Sequence, residues 1–292
     1  MINQIKKELI ELNIIDENSI KPYFHKVRDR DDVGVEICSK SGVIFLNRVD
    51  HIAESYYNAK PGTAYWNAKG RNEALKDTKN DDLRRFEQFS NLVSGKKYAD
   101  IGCGLGGVLE LMKDVASEAN GVELQQEIRE LLNSLNFKVF AGIDDLETDY
   151  DVISMFHVFE HILSPLDFLI KSASKLKTGG MIIIEVPHAN DALLKTYQSE
   201  KFKEFTLWSE HIILHTKNSL TVYLEKAGFK NIHVQGFQRF PLSNHLYWLS
   251  KGLPNGQNIL TDFKVPELTK AYEKTLDLLG ETDTIIAVAE KI

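Results

Sequence analysis

The sequence predicts an α/β fold, doubly wound around a mostly parallel seven-stranded sheet, with an N-terminal hairpin-and-helix extension. Three observations lead there. From residue 97 onward, short β-rich runs alternate with helical stretches, the pattern of β-α units joined by right-handed crossovers. "YADIGCGLGG" (98–107) sets a glycine-rich turn between a strand and a helix. "GGMIIIEVP" (179–187) is apolar almost throughout, as suits a strand covered on both faces.

The elements follow in order. "MINQIKKELIELNII" reads as an amphipathic helix, with charges set inside its apolar pattern. "VGVEIC" (33–38) and "VIFLNR" (43–48) flank "SKSG" and read as a hairpin. An aromatic stretch with Tyr56, Tyr57, Tyr65 and Trp66 surrounds "KPGT" and reads as a loop able to fold over a ligand. These parts make up a first region, residues 1–80. A helix is expected over 81–93, with Gly95 available to end it. Strands are expected at "KYADIG", "ANGVEL", "KVFAG", "YDVISMFHV", "GGMIIIEVP", "KNIHVQGF" and, after a long gap, "DTIIAVAEKI". Residues 81–292 therefore form the main domain, with an insertion near 240–265.

Composition narrows the function. Of 292 residues, 43% are hydrophobic and 26% charged, and the formal net charge is −7, which gives no general attraction to a nucleic-acid backbone. No apolar run approaches the roughly 18 residues of a membrane span. The two cysteines, Cys38 and Cys103, form no CxxC pair and no disulfide framework, so a reducing cytoplasm is expected.

The glycine turn carries the chemistry. Gly102, Gly104 and Gly107 satisfy G-x-G-x-x-G, with Gly106 added, and Glu123 closes the second strand where a carboxylate meets ribose hydroxyls. A dinucleotide and S-adenosylmethionine both fit so far. Asp100 separates them. It lies two residues before Gly102, where it would repel a diphosphate and favour the ammonium and sulfonium of S-adenosylmethionine. A nicotinamide dehydrogenase is disfavoured on the same ground.

At this point the chain resembles the class I S-adenosylmethionine-dependent methyltransferases, with their Rossmann-like fold, over roughly residues 80–240. "YADIGCGLGG" resembles their first motif and "GVEL" their acidic second-strand end. "FAGIDDL" resembles the adenine-contacting turn, which implies Asp144 and Asp145 as cofactor contacts. "DVISMFHVFEHILSPLDFL" and "LKTGGMIIIEVP" resemble the fourth and fifth strands with their flanks. The implied cofactor set is Asp100, Gly102, Gly104, Gly106, Glu123, Asp144, Asp145 and His157, with Tyr65 on the covering loop.

Five of the nine histidines follow strand ends on the cofactor side: His157, His161, His188, His211 and His215. Methylation of a hydroxyl needs a proton acceptor, and imidazole suits that role. "EHI", "VPHAND" and "WSEHIILHTKNSL" resemble the sugar C-methyltransferases of deoxysugar pathways. By that resemblance Glu210 and His211 serve the acid/base step and His161 lines the substrate pocket; His188 is a further candidate. The N-terminal zinc module of that group needs CxxC pairs, which "EICSKSG" lacks. The His-x3-His spacings at 157/161 and 211/215 have no evident third ligand, so no metal is expected. "QRFPLSNHLYWLSKGLPNGQ" resembles stand-alone methyltransferases of surface-polysaccharide gene clusters. The expected acceptor is therefore a sugar hydroxyl of a nucleotide sugar or glycan precursor. The alternatives are another small acceptor, methylated at nitrogen, carbon or a lipid or aromatic hydroxyl, and a non-catalytic methyltransferase-like subunit.

Overall fold

The computed structural model describes residues 3–52, 70–263 and 265–292. The expected aromatic loop, with Tyr56, Tyr57, Tyr65 and Trp66, lies outside the described residues.

The N-terminal region forms helix α1 (Gln4–Glu11) and strands β1 (Ile20–Phe24), β2 (Val35–Cys38) and β3 (Ile44–Leu46). The predicted hairpin is β2–β3. Helix α2 spans Arg71–Val93, ten residues longer at its start than the apolar spacing indicates. Its first turns carry mostly polar residues, and Gly70 supplies the N-cap. The main domain then runs β4 (Lys97–Ile101), α3 (Gly107–Lys113), β5 (Glu118–Val122), α4 (Gln126–Ser134), β6 (Lys138–Phe140), β7 (Tyr150–Phe156), α5 (Pro165–Lys175) and β8 (Leu176–Pro187). It continues with α6 (Ala192–Lys195), α7 (Glu200–Thr206), β9 (Ile213–Leu214), α8 (Lys217–Lys226), β10 (Phe229–Phe237), α9 (Leu242–Lys251), α10 (Gly256–Ile259), α11 (Pro266–Leu279) and β11 (Thr284–Lys291).

The seven strands predicted for the main sheet assemble in the order β10-β11-β8-β7-β4-β5-β6. Strands β4 to β8 run parallel, and β11 inserts antiparallel between β8 and β10. The chain moves outward from β4 to β6, then returns to β7 on the other side. That reversal opens a crevice at the carboxyl ends of β4 and β7. Alternation along the strands sorts the core into two layers. Ile153, Met155, Ile182, Ile184 and Ile285 pack with α5 and α8, while Tyr98, Val152, Ile183 and Ile286 pack with α2, α3 and α4.

A second sheet, β1-β2-β3-β9, joins the N-terminal region to the main domain. Strand β9 is only Ile213–Leu214, paired antiparallel with Phe45 and Ile44. Sequence reading missed it because two residues carry no period of their own.

Helix α2 is fixed to the sheet by charge as well as by Phe89 and Val93. Glu185 on β8 is fully buried and accepts from Arg84 (3.0 and 2.9 Å) and Arg85 (3.2 and 2.6 Å). Burial opposes its charge, but His157 and the two guanidinium groups hold its carboxyl well below the usual range. Removing one member of a buried pair strands the other. Glu185→Ala is therefore expected to cost about 3–5 kcal/mol, read as a lowered urea midpoint. An unchanged midpoint would show that α2 is held by its apolar face alone.

Candidate active site

The glycine turn after β4 has Gly102, Gly104 and Gly106 at φ of 70°, 50° and 76°. At Gly102 a Cβ would stand 2.3 Å from the Val158 side chain, so only glycine lets the turns after β4 and β7 approach this closely. Glu123, at the end of β5, ties the loop down: one oxygen accepts from the Gly104 N–H at 3.0 Å and the other from the Gln125 N–H at 2.8 Å. Asp100 accepts from the Ser154 hydroxyl at 2.7 Å, and Ser154 in turn lies 2.6 Å from the Tyr98 hydroxyl.

These groups floor a cleft of about 460 Å³. Burial raises the carboxyls of Asp82 and Glu123 and pushes Asp100 up to about 7. Three desolvated acids around one turn form a place for a cation and repel a diphosphate. Leu124, Ile143, Val158 and Phe168 add apolar walls suited to a flat purine. S-adenosylmethionine fits this combination. Asp100, the glycine turn and Glu123 are brought together as the sequence indicates. Asp144 and Asp145 are not. Both are exposed, Asp144 pairs with Lys171 at 2.9 Å, and Gly142 with Ile143 line the cleft instead. The 3-10 turn there directs its acidic pair to solvent.

His157, His161, Glu210 and His211 line the same cleft. His157 has φ 56°, a left-handed conformation uncommon outside glycine and typical of functional turns. Arg239 donates to its Nε2 at 3.0 Å, and guanidinium only donates, so the ring proton belongs on Nδ1, 3.3 Å from Glu160. Arg239 also clasps Asp81. Burial opposes that aspartate's charge, yet Arg239, Arg85 and Arg84 hold it at about 2.

His161 donates Nδ1–H to the Glu210 carbonyl at 2.7 Å. His211 is pushed down to about 3 by burial, with His161 adding to the shift. Burial dominates here, and the carboxylate that bears on the ring is Glu160, from the opposite turn, not the neighbouring Glu210. The Glu160 side chain is fully buried. Burial opposes its charge, but His161, His157 and His211 hold it at about 2.

His188 lies elsewhere. It is bonded to the Thr282 carbonyl at 2.9 Å, is lowered to about 4 by burial, and lines a second cavity of about 440 Å³. His215 belongs to the core, stacked on Phe159 at 5.1 Å. Sequence reading missed Glu160, Glu185 and Arg239. A glutamate interrupting the isoleucine run of β8 was a visible signal for Glu185, and Glu160 sits beside His161. Arg239 carries no local signal.

Residues 71–234, more than half of the chain, match the family described as a methyltransferase domain. The chain belongs to that family. Its fold is that of the class I methyltransferases, and its cleft suits S-adenosylmethionine. It is similar to the mitochondrial ubiquinone biosynthesis O-methyltransferase of Schizosaccharomyces pombe, 25% identical over 189 residues, 59% of this chain and 65% of that protein. It is similar to the ubiquinone biosynthesis O-methyltransferase of Shewanella halifaxensis, 22% identical across 45% of this chain and 60% of that one. It spans less than two thirds of the length of these two relatives. For the enzyme of the same name from Burkholderia pseudomallei the identity is 23% and the shares are 61% and 83%. Among solved structures, a SAM-dependent methyltransferase from Archaeoglobus fulgidus superposes with a TM-score of 0.54 at 19% identity, over 78% of this chain and 97% of that one. A chain of the Trm112 methyltransferase-activator complex from Haloferax volcanii gives 0.56 at 15%, over 80% and 98%. These structures share the methyltransferase fold.

The acid at Asp100 generates a prediction with a sign. Its folded value, about 7, lies above the roughly 3.9 of an unfolded aspartate. The folded chain thus binds more protons across that window, and the ligand-free fold loses stability as pH rises through it. Asp100→Asn keeps an acceptor for Ser154 and removes the charge. The variant is expected to melt at a higher temperature than wild type at pH 8, by a margin that shrinks toward pH 5, while binding S-adenosylmethionine more weakly in calorimetry. Full cofactor affinity in the variant would remove Asp100 from the binding role.

Proposed function

We propose that this methyltransferase transfers the methyl group to a hydroxyl of a small, ring-bearing acceptor held in the second cavity. One observation carries the reading: His157, His211 and Arg239 line both the cofactor cleft and the second cavity. An acceptor in one cavity then meets the cofactor in the other across a wall of polar side chains. The second cavity has an apolar side of Leu193, Phe202, Phe205 and Trp248 and a polar side with His188, Asn244, His245 and Asp283. A flat apolar ring with polar substituents matches that division.

The relatives named for O-methylation in ubiquinone biosynthesis support an aromatic hydroxyl more than the sugar hydroxyl expected from sequence. None of the relatives above is named for a sugar acceptor. Bound in the first cleft, S-adenosylmethionine supplies an electrophilic methyl group. The chain's own residues align the hydroxyl, exclude water and receive its proton. The proton falls to the cluster of Glu160, His161 and His211. His188, in the wall of the second cavity, contacts the acceptor instead. A cytoplasmic setting is part of the proposal and rests on Cys38 and Cys103, both buried and free; the fission-yeast relative is named mitochondrial. Among the described residues no helix is long and apolar enough to cross a membrane.

The test is a screen of dihydroxybenzoates, other catechols and nucleotide sugars with S-adenosylmethionine, read by mass spectrometry for the gain of one methyl. Phenolic acceptors are expected to gain it. Methylation of nucleotide sugars alone would return the acceptor to the sugar class. Phe205 is partly exposed in the cavity wall, and Phe205→Ala is expected to raise the acceptor KM several-fold with cofactor affinity unchanged. An unaltered KM would place the acceptor elsewhere.

A further inference from the structure

Glu160 keeps its charge among imidazoles alone. Its side chain is fully buried, and among the described residues neither carboxylate oxygen has a hydrogen-bond partner. The nearest imidazole nitrogens are His157 Nδ1 at 3.3 Å and His161 Nε2 at 3.7 Å. An ionised carboxylate removed from water without hydrogen bonds is strongly disfavoured unless a cation compensates it.

The two histidines beside it are arranged as ligands. His161 donates Nδ1–H to the Glu210 carbonyl, which leaves the lone pair on Nε2, the nitrogen nearer Glu160. A backbone carbonyl in this position is the usual second partner of a metal-bound imidazole. His211 Nδ1 is buried and also lacks a hydrogen-bond partner among the described residues. One donor atom from each of Glu160, His161 and His211 lies within 4.8 Å of the others. Bonds of about 2 Å in a tetrahedral shell put donors about 3.3 Å apart, so small side-chain rotations close the set.

We propose that Glu160, His161 and His211 bind one divalent transition-metal ion of the zinc class, with an open position facing the cleft. Two imidazoles and one carboxylate suit zinc and its borderline neighbours; magnesium and calcium prefer all-oxygen shells. The site answers the absence of a third ligand in the sequence: one histidine comes from each His-x3-His pair, and the third donor is the glutamate beside one of them. Three protein ligands with a vacant position are the pattern of a catalytic site.

The catalytic consequence rests on the hydroxyl-methylation reading; the binding itself does not. An acceptor oxygen in the open position loses its proton more readily. With those three residues holding the metal, the cluster no longer takes the O–H proton itself; the proton passes to solvent at the cleft mouth and the oxygen keeps the electron pair. That pair forms the bond to the methyl carbon, and the carbon–sulfur bonding pair returns to sulfur, leaving a neutral thioether.

The experiment strips the full chain with a chelator and titrates it with Zn²⁺ by calorimetry, then with Co²⁺ while following visible absorption. One equivalent of Zn²⁺ is expected, together with the intense d–d bands of four-coordinate cobalt. His161→Ala and His211→Ala should each weaken Zn²⁺ binding at least 100-fold and abolish the cobalt bands, while Glu160→Gln weakens binding less. His233→Ala, an exposed histidine on β10, should bind as wild type. Circular dichroism and S-adenosylmethionine affinity confirm that each variant is folded. Absence of a bound equivalent, Zn²⁺ affinity unchanged in both histidine variants, or displacement of Zn²⁺ by millimolar Mg²⁺ would overturn the site. Hydroxyl methylation that persists after chelation overturns its catalytic role alone, whereas zinc bound by a chain that methylates no hydroxyl counts against the acceptor reading and not against the site.

Discussion

The peptide group of Ile212 links the two sheets to the active site. Its N–H donates to the Glu160 carbonyl at 2.9 Å, and its own carbonyl accepts from the Leu46 N–H at 3.1 Å. Strand β9 continues that contact against β3. Asp29 accepts from the Ser209 N–H at 3.0 Å and from its hydroxyl at 2.6 Å, and His51 Nε2 lies 2.9 Å from the Ser209 carbonyl. The turn carrying Trp208 to His211 is therefore held by the N-terminal region on one side and by the Glu160 turn on the other. Without those bonds His211 would sit on an untethered connection between α7 and α8. The small sheet positions the turn that brings His211 into the cleft.

Charge divides the site into zones of different sign and purpose. Around the glycine turn, Asp82, Asp100 and Glu123 are desolvated acids whose ionised forms are disfavoured until a cation arrives. Along α2 the acids are already matched: Glu185 with Arg84 and Arg85, Asp81 with Arg239. The same helix thus supplies to the cleft floor an acid whose value burial raises, and two ion-paired contacts to its own attachment. Glu160 belongs to neither group. It is as buried as Glu185, but it is surrounded by imidazoles in place of guanidinium groups. An imidazole can surrender its proton and act as a metal ligand, whereas arginine stays charged and can only donate.

Local features of the chain were legible where one segment determines them. The glycine turn, Asp100 and Glu123 are fixed by a strand–turn–helix unit of about thirty residues, and the seven strands announce themselves by β-rich runs. What depends on distant segments was not legible. The start of α2 is polar and capped by Gly70, so apolar spacing could not reach it. Strand β9 exists because Ile44 and Phe45, some 170 residues earlier, offer it an edge. Asp144 and Asp145 carry a family pattern, but the turn they occupy directs them outward. The Glu210–His211 pair suggested a carboxylate acting on its neighbour; the chain instead crosses Glu160 over from the turn after β7. Among the histidines, similar spacing conceals different fates: His215 is core, His211 is site, and only their burial partners separate them.

The two cavities are built from different parts of the chain, and this constrains how substrate choice can change. The cofactor cleft is made by the ends of β4, β5 and β7 and the turns that follow them. The second cavity is walled by α6, α7 and α9, the last within the insertion expected near 240–265. His157, His211 and Arg239, the residues common to both, come from the segments after β7, before β9 and after β10. Substitutions on the three helices can therefore reshape the acceptor side while leaving Asp100, Glu123 and the glycine turn in place. Substitutions in the shared wall act on both sides at once, because Arg239 joins His157 to Asp81 and thereby to α2. On the proposed reading, specificity can vary through the helices, and the transfer geometry is held by the strand ends.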